Sequence, residues 1–537
     1  MEIRPTTEPI VFAGIIHFPS ISLQFLLRQL TADCLRNSLR PVAGREASRF
    51  FKSEIAFRAQ PAIRMGSRRA WDKTSVGLVG RNASRNRRER NFEMNIVSKC
   101  ALSIALLSAV AVAGSSVAAA EDLRQGILLP SYRIGPFAPN GIGQSDAIID
   151  YITLLNERDG GLNGTKLFVQ ECETQYDNER GVECYERYKN LDPVGLSGVL
   201  PLSAGIGYAL YDRALADKVP IITPGYGRLQ GAVGNLFPYE FPIVGNDWEQ
   251  TTAIMTYIAG KVGGFDKLKG QKIGLVYLDS AYGKEPFPVL DEMAKRYGFE
   301  WKGYPIAAAA MVEQSSTWLQ IRRDKPDYVL IWGWGVMTPT AIKQAASIKF
   351  PVERLIGNWW SAAEPDVIPA GDAAKGYVGA TFRMPGTDFG VYKDLEKYVF
   401  GPGKGASKVQ DRGTVLYNQG LLFAMILTEG MRAAQGKFGN RPVSGDQTRW
   451  GLENSNFSEA RLKELGFDGL FAPIKLSCAD HAGGGKLRLI QWDGKKWNAI
   501  SDWLSGTNDF SKPLVLSSAE TLAKEMGRAP RDCSAGN

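Results

Sequence analysis

The sequence predicts an α/β protein made of two doubly wound parallel-sheet lobes, joined by a hinge, with a ligand cleft between them. Short β-rich runs alternate with amphipathic helices from Leu123 onward, which is typical of βαβ units. The alternation starts again near residues 242–246, so the chain holds two such sets. Ligands of open α/β sheets bind beyond the carboxyl ends of strands, so functional residues are expected directly after strands.

The first set begins with a short apolar strand at 126–129 and a helix that Ser145 and Asp146 cap. Apolar residues recur along this helix with the spacing i, i+3, i+4 and i+7, and Gly160 ends it. The other strands of the set are predicted at 166–170, 198–202 and 219–223, with a helix at 205–216. This alternation favours parallel strands covered by helices on both faces.

The second set repeats the alternation of strands and helices, and near its end this alternation gives way to two consecutive strand-like runs. Its strands are predicted at 272–278, 327–332 and 354–357, and its helices at 251–262, 285–297, 338–348 and 416–435. Near the C-terminus two alternating runs, 486–492 and 495–500, flank Asp493 and Gly494. An Asp-Gly pair between such runs predicts a β-hairpin.

The positive charge of the chain is confined to its N-terminal segment. Residues 1–93 carry 17 Lys and Arg against 8 Asp and Glu, whereas the remaining residues carry 47 against 48. A nucleic-acid partner is therefore not indicated for the main body. We interpret residues 1–93 as a basic leader, which is either a disordered extension or the product of a start codon assigned upstream of Met94.

Residues 94–120 predict a secretory signal peptide. A charged start is followed by an apolar stretch of 13 residues at 101–113 and by small residues ending at Ala120, the pattern of a cleavage site. The stretch is too short for a transmembrane helix, which needs about 20 apolar residues. The signal predicts export to the periplasm.

Export predicts disulfide bonds among the four cysteines that follow the signal peptide. An even number of cysteines in an oxidising compartment is typical of such bonds. Cys172 and Cys184 are near enough in sequence to close a small loop, worth about 3 kcal/mol. Cys533 is suggested as the partner of Cys478. The spacings match no zinc site, so neither a metal nor a cofactor is expected.

Four segments that follow strands hold the candidate ligand-binding residues. Ser203 and Ala204 end a strand and open a helix, where a hydroxyl and free N–H groups can receive an anionic or carbonyl oxygen. The candidates from the other segments are Pro224, Gly225, Tyr226, Arg228, Asp279, Tyr282, Trp334 and Trp359. Structural alternatives stay open: Ser203 as a helix cap only, the two tyrosines as loop packing, and Arg228 as a solvated surface residue.

The chain resembles the periplasmic solute-binding proteins of the branched-chain amino acid class over about residues 123–505. The resemblance is carried, in order, by residues 135–138, 156–164, 220–224, 282–283, 341–345 and 371–376. It implies the type I periplasmic-binding fold and service to an ABC uptake transporter. The expected partners are a small-molecule ligand and a permease in the inner membrane, with the protein itself a monomer.

The resemblance also implies roles for particular residues. In that class the first lobe grips the ligand carboxylate through a Ser/Thr pair and backbone amides, which places Ser203 and Ala204 there, with a further contact near residues 224–226. A tyrosine of the second lobe corresponds to Tyr282. Where the amino-acid binders carry an acidic residue for the ligand ammonium, this sequence has Asn-Trp-Trp at 358–360.

That departure leaves the ligand open between two classes. An ammonium group buried without a counter-charge costs several kcal/mol, and Asp279, the available substitute, lies elsewhere in the sequence. The aromatic candidates Tyr226, Tyr282, Trp334 and Trp359 suit the stacking of a flat solute. An aromatic acid or amide is therefore as compatible with the sequence as a branched-chain amino acid.

The exported chain divides into two lobes and a tail. Lobe 1 is predicted at 121–244 and 376–470, lobe 2 at 245–375 and 471–505, and the tail at 506–537. An alternative function is a ligand sensor for a membrane receptor, which uses the same cleft. An exported hydrolase is disfavoured, because His481 is the single histidine after the signal peptide and neither a GxSxG nor an HExxH motif is present.

Overall fold

The computed structural model describes residues 123–506 and 508–534. The predicted basic leader (1–93) and signal peptide (94–120) lie outside the described residues. Within these two ranges, none of the helices combines the length and the apolar character that a membrane span requires.

Parallel pairing dominates the strands of the described residues. In chain order the strands are β1 (Arg124–Ser131), β2 (Lys166–Glu173), β3 (Ile221–Ile222), β4 (Glu240–Phe241), β5 (Lys272–Leu278), β6 (Glu300–Ile306), β7 (Tyr328–Trp332), β8 (Leu355–Gly357), β9 (Val378–Thr381), β10 (Asn456–Phe457), β11 (Ile474–Lys475), β12 (Lys486–Trp492), β13 (Trp497–Ala499) and β14 (Leu504–Ser505).

Helices connect most of these strands, as parallel pairing requires. The α-helices are α1 (Ala138–Asp159), α2 (Asn178–Tyr188), α3 (Ala204–Asp217), α4 (Asp247–Val262), α5 (Ala281–Lys284), α6 (Phe287–Tyr297), α7 (Ser315–Asp324), α8 (Met337–Ser347), α9 (Glu364–Val367), α10 (Gly390–Leu395), α11 (Val415–Phe438), α12 (Gly445–Glu453), α13 (Glu459–Leu465) and α14 (Asn508–Glu525).

The first sheet contains β1 to β4, all parallel. β1 and β2 pair along their full length, and β3 pairs with β4. Between them Val199 bridges Leu128 of β1 and Ile221 of β3. The strand predicted at 198–202 is thus reduced to one bridging residue, because Pro201 has no N–H to donate and the chain then turns into the cap of α3.

The second sheet has eight strands in the order β13-β12-β9-β8-β7-β5-β6, with β14 pairing to β12. β5 to β9 are parallel, whereas β12 runs antiparallel to β9 and to β13. The hairpin predicted around Asp493 and Gly494 is confirmed as β12–β13. Two α/β sheets in one chain confirm the predicted fold class.

The N-terminus predicted for the first helix is wrong. α1 begins at Ala138, with Pro139 in its first turn, where the missing N–H of proline has no cost. Ser145 is fully buried inside the helix instead of capping it. The predicted end is confirmed, because Gly160 adopts the left-handed conformation with φ +73° as the C-cap.

The chain passes between the sheets at positions that differ in part from the predicted lobe boundaries. The first crossing follows β4, at residues 242–246, as the repeat of the pattern implies. The boundary at 376 precedes β9, which hydrogen-bonds to β8 and β12, so residues 376–381 lie in the second sheet. The boundary at 471 precedes β11, which pairs with β10 outside that sheet. Both differences arise because strand pairing, not sequence order, decides where a segment belongs.

One disulfide bond lies within the first lobe, and a second joins the C-terminal tail to that lobe. Cys172 of β2 is bonded to Cys184 of α2, and Cys478 is bonded to Cys533, so both suggested pairs are confirmed. In the tail, α14 buries Ala519 against Phe237 of the first lobe. The tail therefore lies on the first lobe, held by a covalent link and an apolar contact.

Candidate ligand-binding site

A cavity of about 10 Å³ is lined by residues that follow strands of both sheets. Its lining residues are Tyr176, Leu202, Ser203, Ala204 and Tyr226 from the side of the first sheet, and Tyr282, Trp334 and Trp360 from the side of the second. Ligand pockets typically measure about 300–1,000 Å³, so this cavity admits an organic solute only when its walls move apart.

Ser203 and Ala204 bring the N-terminus of α3 to the cavity wall. Ser203 is the N-cap residue, and its Oγ accepts a hydrogen bond of 3.4 Å from the N–H of Ile206. The first N–H groups of a helix have no acceptor within the helix, and the helix dipole adds partial positive charge there. This wall therefore suits an oxygen atom that carries negative or partial negative charge.

Two tyrosines complete the wall on the side of the first sheet. Tyr226 is 3% exposed, and its hydroxyl donates a hydrogen bond of 2.8 Å to the carbonyl of Pro201. Tyr176 follows β2 with φ +64°, a left-handed conformation that is uncommon for an aromatic residue. Burial raises the pKa of Tyr176 to about 12, so its phenol is neutral. Both side chains present aromatic rings without charge.

Tyr282 is held in place by the second sheet. Ser280 caps the short helix α5, and this turn places Tyr282 directly after β5. The Tyr282 hydroxyl donates to the carbonyl of Gly333 at 3.2 Å and accepts from the side-chain amide of Asn358. Burial raises the pKa of this phenol well above its ordinary value. Its hydrogen bonds fix the ring against the cavity.

Two indole rings form the rest of the second wall. The rings of Trp334 and Trp360 meet edge to face at 4.6 Å, and Tyr226 approaches Trp360 at 5.2 Å. Among the described residues, the indole N–H of Trp334 has no hydrogen-bond acceptor, although Trp334 is 3% exposed. A buried donor without an acceptor is costly, so the cavity wall has an unused donor for a solute oxygen.

None of the described residues that line the cavity is acidic or basic, but a carboxyl pair lies near it. Asp247 accepts hydrogen bonds from the indole of Trp332 at 2.9 Å and from Gln250 at 3.0 Å, while Glu285 accepts from Tyr208 at 3.2 Å. Burial raises the pKa of both carboxyl groups, and the negative charge of Asp247 raises that of Glu285 further.

The described residues offer no metal site. No group of three or more His, Cys, Asp or Glu side chains within 123–506 and 508–534 is arranged to hold a metal ion. His481 stacks on Phe241 with ring centres 3.9 Å apart, and its Nε2 lies 3.1 Å from Glu453. Arg449 also pairs with Glu453. His481 therefore belongs to a buried ion-pair network away from the cavity wall.

A family model described as periplasmic binding protein matches residues 126–496. The chain belongs to the periplasmic binding protein family. Members of this family are solute-binding proteins that work outside the cytoplasm, so the predicted family and the predicted solute-binding function are confirmed. No curated protein has a significant match to the chain.

Solved structures similar to this periplasmic binding protein come from several organisms. One, described as an ABC transporter permease from the Pseudomonas fluorescens group, is 45% identical, with a TM-score of 0.72, and covers 76% of this chain and 99% of its own. A branched chain amino acid ABC transporter from Thermus thermophilus with bound valine is 18% identical, with a TM-score of 0.62, and covers 72% of this chain and 99% of its own. A solute binding protein from R. palustris in complex with benzoate is 20% identical, with a TM-score of 0.53, and covers 71% of this chain and 96% of its own.

The structure of this periplasmic binding protein brings five of the candidate residues to one cavity. Ser203, Ala204, Tyr226, Tyr282 and Trp334 all line it. This agrees with the expectation that the ends of strands from both sets converge.

The other candidates lie away from the cavity lining. Trp359 packs against Gly225 instead, and Pro224 is buried beside that contact. The carboxylate of Asp279 is half-exposed and pairs with Lys284 at 2.6 Å. The guanidinium of Arg228 is buried and pairs with Glu240. Neither charged candidate is therefore free to meet a ligand in the cavity.

Three lining residues were not among the candidates. Tyr176 and Leu202 follow a strand or a bridge, so the rule that selected the others applies to them also. Trp360 adjoins the candidate Trp359, and the sequence does not tell which of two neighbouring indoles faces the cavity. In the structure Asn358 accepts hydrogen bonds from the N–H groups of Trp360 and Ser361, and this turn directs the Trp360 ring to the cavity.

Proposed function

We propose that this protein captures a small organic solute without an ammonium group and delivers it to the permease of an ABC transporter. The proposed ligand class follows from the cavity lining, because none of the described residues that form it is acidic. An ammonium group buried there without a counter-charge would cost several kcal/mol. The walls instead offer three kinds of contact: aromatic rings, a hydroxyl and a helix N-terminus.

The nearby acids do not replace the missing counter-charge. Asp279 is engaged by Lys284 and half-exposed. Asp247 and Glu285 are already bound by Trp332, Gln250 and Tyr208, and burial raises the pKa of both, which reduces their negative charge. A branched-chain amino acid therefore has a site for its carboxylate but none for its ammonium group.

The solute is oriented by its oxygen atoms and held by its apolar body. Ser203 and the N-terminus of α3 take one oxygen-bearing group, and the indole N–H of Trp334 takes another acceptor. Trp360, Tyr226 and Tyr282 enclose the apolar part by stacking and edge contacts. Benzoate, the ligand named for one structural neighbour, has this combination of carboxylate and ring without an ammonium group.

Binding closes the two lobes by rotation at the crossings between the sheets. We assign residues 121–244 and 382–485 to the first lobe and residues 245–381 and 486–505 to the second, adjusted for the pairing of β9 with β8 and of β11 with β10. The closed form then docks on the permease. The protein acts as a monomer and without catalysis, because its role is complete when the solute is bound and released.

Delivery of this kind requires export, which the segment 94–120 provides as a cleavable signal peptide. Signal cleavage after Ala120 leaves Glu121 as the mature N-terminus. N-terminal sequencing of the protein from the periplasmic fraction tests this assignment. A mature chain that begins at Glu121 supports it, and a chain that retains residues 94–120 contradicts it.

The ligand class is tested by thermal shift with pairs of compounds that differ in one ammonium group. The pairs are phenylalanine with phenylpropanoate, tyrosine with hydroxyphenylpropanoate, and leucine with isocaproate. A solute that binds only the folded protein at 100 times its Kd stabilises it by about 2.7 kcal/mol, a measurable shift in Tm. We expect the shift from the members without ammonium. An equal or larger shift from the amino acids contradicts the proposal.

A further inference from the structure

Arg383 is a fully buried cation that has no ion-pair partner among the described residues. Its Nη2 donates a hydrogen bond of 2.7 Å to the carbonyl of Trp359, and its Nε lies 3.5 Å from the carbonyl of Val415. Its Nη1 is buried and has no acceptor within the described part of the chain. Its hydrogen bonds therefore go to two neutral carbonyls and to no carboxylate of the described residues, and its Cζ lies 4.6 Å from the centre of the Phe382 ring.

The nearest carboxyl groups do not neutralise Arg383. Glu364 accepts a hydrogen bond from the N–H of Val415, and Asp366 accepts one from the N–H of Ala363. Burial raises the pKa of Glu364 to about 7 and that of Asp366 to about 8. Their raised pKa values reduce the negative charge of both groups near neutral pH, which weakens the attraction that each exerts on the guanidinium.

Two other arginines with little exposure contact a carboxylate. Arg228 pairs with Glu240, and Arg449 lies 2.6 Å from a carboxylate oxygen of Glu453. A buried charge without a partner destabilises a folded protein strongly, which is why such groups are normally paired. Burial accordingly lowers the pKa of Arg383 to about 9. Arg383 differs from both, because no carboxylate of the described residues contacts its guanidinium.

The position of Arg383 connects it to the ligand cavity through Trp360. The Trp360 ring lines the cavity, and its centre lies 5.9 Å from Cζ of Arg383. The carbonyl of the preceding residue, Trp359, is the acceptor for Nη2. A turn of the Trp360 side chain is thus the movement that would join the cavity to the free Nη1 group.

We propose that Arg383 is an anion-binding residue of the cleft, which takes a carboxylate of the solute through Nη1 when the Trp360 ring turns aside. This inference rests on the proposed function and narrows its ligand class to organic acids. The carboxylate supplies the missing counter-charge through a charge-assisted hydrogen bond, the strongest kind available to a guanidinium. The opposite, oxygen-bearing end of the solute then remains for Ser203 and the N-terminus of α3.

The first test compares acids with their amides on the purified protein. Phenylpropanoate and hydroxyphenylpropanoate are each paired with the corresponding amide, which keeps the shape and removes the charge. We expect at least one acid to raise the Tm of the wild-type protein and its amide to give less than a tenth of the apparent affinity. The shift from the acid should be lost in Arg383→Met.

The second test needs no ligand. Replacing Arg383 by Met removes the unpaired charge, so the Tm of ligand-free Arg383→Met should equal or exceed that of the wild type. The control is Arg228→Met, which breaks an ion pair and leaves Glu240 with the more distant Arg528. Its Tm should fall by roughly 5 °C. A comparable fall, or failure to fold, in Arg383→Met would show a structural cation and overturn the proposal.

The outcomes separate this inference from the proposed function. Amides that stabilise the wild type as strongly as their acids overturn the role of Arg383 and leave the proposed function standing. A shift from an acid that persists in Arg383→Met does the same. Absence of any shift from acids and amides alike, or a shift from the amino acids only, overturns both.

Discussion

The indole ring of Trp359 packs directly against the backbone of Gly225, although the two residues follow strands of different sheets. A Cβ atom at position 225 would lie 2.4 Å from Cζ2 of Trp359, closer than any real contact of this kind. Gly225 also has φ +73°, a conformation that side chains rarely adopt. This contact fixes how closely the two walls of the cavity approach, without contributing to its lining.

Gly225→Ala should therefore weaken solute binding at least tenfold, about 1.4 kcal/mol, because the added methyl group holds the walls apart. Calorimetric titration with the most stabilising solute of the panel measures the change. Gly160→Ala is the matched control, because Gly160 has the same φ of +73° and open space around its Cβ position. Its affinity should stay unchanged, and equal losses in both variants would contradict a steric role.

Trp334→Phe removes the indole N–H that has no acceptor among the described residues. The affinity for a solute with an oxygen acceptor should fall about tenfold, while the ligand-free protein keeps its Tm, because no hydrogen bond of the protein is lost. Trp318→Phe is the control: that indole donates to Gln314 at 3.1 Å. It should lower Tm and leave affinity unchanged. Full affinity in Trp334→Phe would exclude Trp334 as a donor to the solute.

The buried carboxyl group of Asp366 should make the protein less stable as the pH rises. Burial raises its pKa from 3.8 to about 8, so the stabilising protonated form is complete below about pH 4 and is lost as the pH approaches 8. Asp366→Asn should flatten the decline of unfolding free energy by up to about 1.4 kcal/mol per pH unit between these limits. Thermal melts from pH 4 to pH 9 measure it.

The control for this pH profile is Asp493→Asn. Hydrogen bonds from the backbone of Lys496, the side chain of Asn498 and the backbone of Lys495 lower the pKa of Asp493 to about 2, so its titration lies below the range measured. The slope of unfolding free energy against pH in Asp493→Asn should match that of the wild type. An unchanged slope in Asp366→Asn would show that this group does not titrate in the folded protein as its burial implies.

The two disulfide bonds should differ in their contribution to stability. The bond between Cys478 and Cys533 spans 55 residues and that between Cys172 and Cys184 spans 12. By chain entropy their removal should cost about 4 and about 3 kcal/mol respectively. Urea unfolding of the paired Cys→Ser variants measures both losses. A larger loss from the short loop would contradict an entropic origin and point to packing around β2 and α2.

Much of the fold follows from local pattern, because buried parallel strands are continuous apolar runs between helices. The predicted strand at 272–278 coincides with β5, and the hairpin at Asp493 is recovered with its turn. β9 was not predicted, since it is four residues long and pairs with β12 more than 100 residues later. Such non-local pairing, and the lobe boundary that depends on it, leaves no periodic signal in the sequence.

The site follows from the sequence only as far as strand ends can be located. Ser203, Tyr226, Tyr282 and Trp334 lie on the cavity because a parallel sheet brings such positions to one edge. Beyond that edge loop geometry decides, as it does at Asn358, where a turn directs Trp360 and not Trp359 to the cavity. The burial of Arg383 depends on packing from several elements, so sequence reasoning had no basis for selecting it.

A crystal structure with the most stabilising solute of the panel shows directly where the solute binds. We expect electron density for the solute between Ser203, Tyr282, Trp334 and Trp360, with no acidic side chain within hydrogen-bond distance of it. A solute bound elsewhere on the protein would contradict it. A bound amino acid whose ammonium group contacts Asp247 or Glu285 would contradict it equally.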